Sequence, residues 1–448
     1  MKNVCVIGAG PSGITAAKNL LDEGLQVTVY DYGKEVGGNW VFSEDESHSS
    51  VFETTHIISS KTLSQYADFP MPADYPDYPS HKQLAAYFQS YAQYFGLYPF
   101  IRFQTEVKEA ELTADGKWLI TTEHRGQTET AIFDALVVCN GHHWQPRWPS
   151  YPGQFAGEYI HSHHVKRFSR FKDKRVLVIG GGNSACDVAV ESSRVSARTD
   201  ISWRRGYWIT PKFLFGEPAD VVGKRMKFLP RSLWSRVSEF SIRLKFGSHK
   251  HYGLPEPDHR FGQTHPTIND ELYYFMRHGK IHPRPEIARW EGHTVYFTDG
   301  SQAEYDTVVA CTGYVIAHPF FDKSFIDYSQ GEVPLYLRMM HPTIQNLYFI
   351  GLFQPLGCIW PAAELQAKIA ARELAGKWQR PSNIQALIDK ELKNPDFQQI
   401  NTPRHTITVD FHRFSERLLK HLPKDYVRKE PRQAVATASE LITNSSAS

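Results

Sequence analysis

The chain has 448 residues, 41% hydrophobic and 22% charged, with a formal net charge of +2. That length exceeds one compact domain and suffices for a large core, while the near-balanced charge, without a long polybasic run, gives no reason to invoke nucleic acid or an anionic membrane. Five scattered cysteines, Cys5, Cys139, Cys186, Cys311 and Cys358, form no Cys-x-x-Cys pair, which argues against a redox dithiol or a disulfide framework.

In chain order, KNVCVI predicts a strand, SGITAAKNLLDEG a helix closed by Gly24, and LQVTVYD a second strand. With the first strand starting near Asn3, no room is left for a targeting peptide, and no apolar run approaches the roughly 18 residues needed to span a bilayer. A cytoplasmic location without a membrane anchor is therefore expected. Residues 42–80, rich in Ser, Asp, Pro and Tyr, predict a long surface loop, and Ser80 caps a helix that reaches residue 97. Strands follow at FQTEVKEAEL, KWLITTEH and AIFDALVVCNGH. Near Lys174 the pattern restarts with RVLVIGGG, the helix SACDVAVESSRV and the strand TDISWRR. Residues 206–260 look irregular; beyond them come a helix over INDELYYFMRHG, strands at IARWEG and TVYFTDG, and the run YDTVVACTGY. LVVCNGH and TVVACTGY end alike, an internal repeat of two dinucleotide-binding units.

Gly8, Gly10 and Gly13 have the G-x-G-x-x-G spacing between strand and helix. Such a turn lets backbone approach a pyrophosphate at a helix N-terminus. About 20 residues on, Asp31 ends the next strand, where a carboxylate accepts ribose hydroxyls. The second loop, Gly180, Gly182 and Ala185, is the G-x-G-x-x-A variant, and its next strand ends in Arg204 and Arg205. A carboxylate there would repel a 2′-phosphate, whereas arginine pairs with it. The alternative is a solvated basic turn, or a basic-aromatic patch with Trp203 and Trp208 facing nucleic acid. On the first reading one adenosine has a free ribose and the other a 2′-phosphate, which implies bound FAD reduced by NADPH. His142, His143, His161, His163 and His164 lack a completing Cys or acid at ligand spacing, so no metal is expected. The S-x-x-K pattern begun at Ser80 fails at Gln83, and no G-x-S-x-G elbow is present to support a hydrolase.

These residues resemble the flavin-containing monooxygenases over nearly the whole chain. GAGPSG (with Pro11 and Ser12) and GGNW (with Gly38, Asn39 and Trp40) look like the family's FAD segments, and GGGNSACD (with Asn183 and Ser184) like its NADP segment. DFPMPADYPDYP, NDEL, CTGY, GLFQPLGCIWPAAELQAK (with Gln354, which the resemblance places at FAD) and HTITVDFHRF match further blocks. Phe155, Gly157 and His161 match the signature F-x-G-x-x-x-H, but Val165 replaces its closing aromatic residue. At the position where the family usually has a flavin-contacting Asn stands Ile58, with Ser59, Ser60 and His56 as the nearby polar groups.

The resemblance implies an α/β fold of two Rossmann-like dinucleotide-binding domains, the NADP domain inserted in the FAD domain. The expected division is 1–165 and 307–430 for FAD, 166–306 for NADP, and a flexible tail over 431–448. It also implies a monooxygenase in which a flavin C4a-hydroperoxide gives one oxygen atom of O2 to a soft nucleophile: an amine, a sulfide or indole. No catalytic side chain is expected, because the flavin carries the chemistry. The competing readings are a Baeyer–Villiger or N-hydroxylating monooxygenase and an uncoupled NADPH oxidase. A homodimer is among the expectations.

Overall fold

Apolar runs that stop at glycine turns and lead into helices set the architecture, because strands buried on both faces pair in parallel beneath covering helices. A computed structural model of the chain describes residues 1–45, 47–226, 230–395 and 406–424. The expected tail over 431–448 lies outside the described residues. Two compact units are present, one formed by 1–49, 54–145 and 315 onward, the other by 50–53 and 146–314.

In the first unit β1 (Asn3–Ile7) runs through the glycine turn into α1 (Pro11–Asp22) and, past Gly24 at φ 79°, into β2 (Gln26–Tyr30). Ser80 caps α2 (His81–Tyr94) in a reciprocal box with Gln83, as its spacing predicts. After the short edge strand β3 (Ile101–Arg102) comes an antiparallel meander of β4 (Thr105–Leu112), β5 (Trp118–His124) and β6 (Gln127–Phe133), then β7 (Ala135–Val138). AIFDALVVCNGH, expected as one strand, is thus two. Asp134 divides them: its carboxylate accepts the Asn3 N–H at 2.8 Å and its carbonyl the Asn346 amide at 2.7 Å, so the chain changes sheets there.

The second unit holds β8 (Glu158–His161), β9 (Arg175–Ile179), α3 (Asn183–Ser193), β10 (Arg198–Ser202), α4 (Arg231–Phe246), α5 (Leu272–Arg277), β11 (Ile281–Arg284) and β12 (Thr307–Ala310). The chain then returns to the first unit with β13 (Leu347–Phe349) and α6 (Trp360–Leu374). The two five-stranded sheets have the orders β13-β7-β1-β2-β3 and β8-β12-β9-β10-β11, parallel throughout. The repeat read from LVVCNGH and TVVACTGY is therefore structural. Each run lies beside its glycine strand, and the Cys139 N–H donates to Ile7 O at 2.8 Å as the Cys311 N–H does to Ile179 O at 2.9 Å.

Three expectations are corrected. The boundaries after 165 and 306 move to 145/146 and 314/315, because β8 and β12 pair with each other and Gly153–Phe155 joins Ile287–Gly292. The 206–260 stretch is not wholly irregular: it contains a hairpin, a helix at Ala219–Arg225, and α4. The helix expected over 268–279 starts only at Leu272, since Asn269 Oδ1 accepts the N–H groups of Glu271 (2.9 Å) and Leu272 (2.7 Å).

Candidate nucleotide sites

Both glycine helices begin without a side-chain cap, Gly10 preceding α1 and Gly182 preceding α3. Their first N–H groups thus have no side-chain acceptor at the cap, and a phosphate is the natural acceptor there. In the first turn Gly8 has φ +102° and a Cβ there would lie 2.6 Å from Cys139 O; on Gly13 it would lie 1.8 Å from Gly8 O. Only glycine closes this turn. A Cβ on Gly10 would lie 3.5 Å from the Cα of Gly38, and the Gly37 N–H donates to Ala9 O at 3.2 Å, so the GGNW segment forms the other wall. Trp40 meets Trp360 edge to face at 5.7 Å, and Ser12 lies against Gly351, which together join GAGPSG, GGNW and the start of α6. Asn39 turns its carbonyl to the Ser49 hydroxyl at 2.9 Å, and the Pro11 carbonyl accepts from Tyr66 at 2.6 Å.

Asp31 closes β2 as its spacing predicts. Its carboxylate accepts the Gly33 N–H at 2.6 Å and the Ala9 N–H. Burial pushes its pKa up, against those two bonds. A carboxylate has about four acceptor directions, so ribose hydroxyls still find acceptors beside these N–H groups. Gln354 Oε1 stands 3.3 Å from His142 Nε2, and burial lowers the His142 pKa to about 4. His142 is therefore neutral.

In the second turn a Cβ on Gly180 would meet Cys311 O at 2.6 Å, the counterpart of the Gly8 contact. Ala185, buried, takes the place of Gly13. Asn183 turns its side-chain oxygen to the Ile268 N–H at 2.7 Å, and the Thr267 hydroxyl donates to Gly181 O at 2.8 Å. Asn269 Nδ2 reaches Asp187 at 2.9 Å, completing a latch between NDEL and the glycine helix. Burial lifts the Asp187 pKa to about 6. Ser184 is exposed beside the turn.

Arg204 and Arg205 follow β10, Arg204 exposed and Arg205 half-buried. The Arg205 guanidinium sits 5.6 Å from the Tyr207 ring centroid, and that ring covers Gly181 so closely that a Cβ there would lie 2.3 Å away. The Tyr207 ring thus touches both Arg205 and the glycine turn, a placement the sequence reading missed; the one signal is its position two residues past the arginine pair. Arg205 Nε is buried without a hydrogen-bond partner. An orphaned guanidinium donor near an uncapped helix start fits an anionic nucleotide. Trp203 and Trp208 are buried, so they form no surface patch for nucleic acid.

Of the F-x-G-x-x-x-H residues, Phe155 packs on Trp290 at 5.7 Å, and Gly157 leaves no room for a side chain between Asp306 O and the Phe155 ring. His161 bonds Gly313 O through Nε2 at 3.1 Å and accepts the His163 N–H at Nδ1, also at 3.1 Å, which ties the signature to CTGY. Burial, with His163 beside it, lowers the His161 pKa to about 4. Val165 lies in the core of this unit rather than at a site. Ile58 is half-buried between buried Ile57 and Ser59, and Ser59 is bonded to Ser64 at 2.8 Å, while His56 is exposed. Among the described residues no group of His, Cys, Asp or Glu is arranged to hold a metal.

Two parallel sheets, each with a glycine turn leading into an uncapped helix, define an α/β protein with two units of the dinucleotide-binding type. The sequence profile described as Flavin-binding monooxygenase-like matches residues 1–424, and the chain belongs to that family. It is 34% identical over 414 residues to dimethylaniline monooxygenase (N-oxide-forming) 2 of Rattus norvegicus, covering 88% of this chain and 77% of the relative. S-allyl-L-cysteine S-oxygenase from Allium sativum shares the fold at TM-score 0.70 and 20% identity, covering 99% of this chain and 98% of that one. Cyclohexanone monooxygenase from Rhodococcus sp. Phi1, bound to NADP+, shares it at TM-score 0.71 and 16% identity, covering 95% and 98%. The protein is a flavin-binding monooxygenase. No helix among the described residues is long and apolar enough to cross a membrane.

Proposed function

We propose that FAD occupies the cradle at Gly8–Gly13, NADPH the one at Gly180–Ala185, and that the enzyme oxygenates soft nucleophiles, tertiary amines and sulfides first. The observation that carries this assignment is the contrast of strand ends: a half-buried carboxylate at Asp31, against Arg205 packed near its glycine turn on Tyr207. The N-oxide-forming relative supports the amine. When bound, the flavin takes electrons from NADPH and passes one atom of O2 to the substrate. The protein's part is to bind, orient and exclude water. Asp31 receives ribose hydroxyls, the uncapped start of α1 receives the pyrophosphate, and the Gly37–Trp40 segment walls the turn. Neutral His142, 3.3 Å from Gln354 Oε1, holds the Gln354 side chain in place.

The test is turnover of purified yellow protein with N,N-dimethylaniline and methyl phenyl sulfide. NADPH loss should be matched by N-oxide or sulfoxide, with little hydrogen peroxide. One observation favours a second reading, an uncoupled NADPH oxidase: Ile58 has no polar atom where the family's Asn stands. On that reading NADPH loss appears as peroxide whatever substrate is present, and Ile58→Asn shifts the balance toward oxygenated product.

A further inference from the structure

Next to the first cradle the aromatic rings of this unit form a continuous file that reaches the surface. It starts at Trp40, in the wall of the glycine turn, whose ring meets Trp360 at 5.7 Å. The Trp360 indole N–H donates to the Ser64 carbonyl, two residues before Tyr66. Phe88 bridges the two rings, 5.2 Å from Trp360 and 6.2 Å from Tyr66. Tyr66 touches the cradle itself, since its hydroxyl donates at 2.6 Å to the carbonyl of Pro11, the first residue of α1. Its ring lies 4.5 Å from Tyr91, which is joined through Phe95, at 4.7 and 4.9 Å, to Tyr94, the last residue of α2. Trp360, Tyr66 and Tyr91 are 5%, 1% and 0% exposed, whereas Tyr94 is 45% exposed.

Packing alone does not call for these hydroxyls. A buried phenol needs an acceptor that phenylalanine does not, and the acceptors here are Pro11 O for Tyr66 and Thr15 Oγ1, at 3.4 Å, for Tyr91. What tyrosine and tryptophan have and phenylalanine lacks is a ring that readily gives up one electron. Burial pushes the Tyr91 phenol well above its usual range, and Asp68 and then Glu364 add to that. The same negative charges that hold its proton favour the loss of an electron. Because its hydroxyl faces Thr15 rather than a carboxylate, an oxidised Tyr91 is not trapped by losing its proton. Tyr94, open to solvent, has water to take its proton.

We propose that Trp360, Tyr66, Tyr91 and Tyr94 form a one-electron relay that draws oxidising equivalents from the first cradle to the surface. The oxidant at the cradle is a light-excited flavin or a peroxide-derived radical left by unproductive reaction with O2, and it is reduced by one electron from Trp360. Tyr66 returns an electron to Trp360, Tyr91 to Tyr66, and Tyr94 to Tyr91, while the phenolic proton of Tyr94 passes to water. A thiol outside the protein then restores the Tyr94 phenol with one hydrogen atom, and two such thiols pair as a disulfide. The relay rests on flavin occupying the first cradle.

Blue-light flashes on the FAD-loaded protein, with a cobalt(III) ammine complex present to take the electron onward from the flavin, test it by electron paramagnetic resonance. A long-lived tyrosyl radical is expected, assigned by the narrowing of its lines when the protein contains ring-deuterated tyrosine. Tyr94→Phe and Tyr66→Phe should each lose that signal. Both keep the ring, so retained flavin absorbance and an unchanged thermal midpoint verify folding, and the surface variant Tyr94→Phe decides the matter should Tyr66→Phe not fold. No tyrosyl radical from the flavin-loaded protein, a tryptophan radical only, or an undiminished tyrosyl signal in either variant overturns the relay and leaves the flavin assignment intact. Gly13→Ala protein that retains its flavin would instead take the flavin out of this cradle, and the relay would fall with that assignment.

Discussion

Gly13 and Ala185 hold the same place in their two turns but have different surroundings. A Cβ on Gly13 would lie 1.8 Å from Gly8 O, whereas Ala185 already carries a buried methyl, 3.4 Å from where a Cβ on Gly180 would stand. Gly13→Ala must therefore push α1 off β1, destabilising the unit by about 2 kcal/mol or more. Its expected signature is protein that purifies colourless with a lowered thermal midpoint. Ala185→Gly removes only a methyl and adds backbone freedom, costing about 1 kcal/mol while FAD stays bound. At the other end of the second cradle, Arg204→Ala and Arg205→Ala should each weaken NADPH by about 1.5–3 kcal/mol, the worth of a charge-assisted hydrogen bond, and leave NADH nearly unaffected. Titration of both nucleotides checks this, and equal losses would remove the arginines from the 2′-phosphate. Glycine spacing and strand-end charge were readable in the sequence because each residue type has a backbone or charge reason to be there. The carbonyls of Cys139 and Cys311 that press on Gly8 and Gly180 were not, since a carbonyl leaves no mark on residue identity.

At the scale of elements, periodic segments such as α1, α2 and the two glycine strands were readable because their apolar residues point inward. α4 was not: Leu233, Phe240 and Leu244 face out, so the pattern does not match a core-facing helix. INDELYYFMRHG was read too long for a different reason. Asn269 spends its side chain on the first N–H groups of α5 and on Asp187, so the chain ahead of Leu272 is held extended, with Thr267–Ile268 paired to Ile209–Thr210. Removing that side chain should release both the cap and the latch. Asn269→Ala is expected to lower stability by about 1–2 kcal/mol and to raise the NADPH requirement, with FAD content unchanged. Denaturant unfolding and nucleotide titration on the same preparation measure the two effects. A stability loss with NADPH binding intact would make NDEL a cap alone.

For the whole molecule, the sequence showed two units but misplaced their edges, because β8 and β12 sit at the ends of long irregular stretches and only their pairing reveals which sheet they join. Both units share a feature with a common consequence in acid. His142 and His318 in the first unit and His161 in the second are buried, and burial lowers their pKa values to about 4, about 3 and about 4. An unfolded histidine titrates near 6.5. Between that value and about 4 the unfolded chain therefore binds protons that the native state refuses, and stability falls as pH falls, by roughly 1.4 kcal/mol per pH unit for each histidine. The loss should begin near pH 6.5, its slope ending near pH 4 for His142 and His161 and near pH 3 for His318, with the raised Asp187 carboxyl, at about 6, offsetting part of it. His318 stands among Phe320, Phe321, Tyr328 and Phe349, so His318→Phe keeps an aromatic ring there and removes the titrating nitrogen. Urea unfolding of the FAD-loaded protein across this range should give a pH slope shallower by about 1.4 kcal/mol per unit in the variant. An unchanged slope would place the proton uptake in groups other than His318.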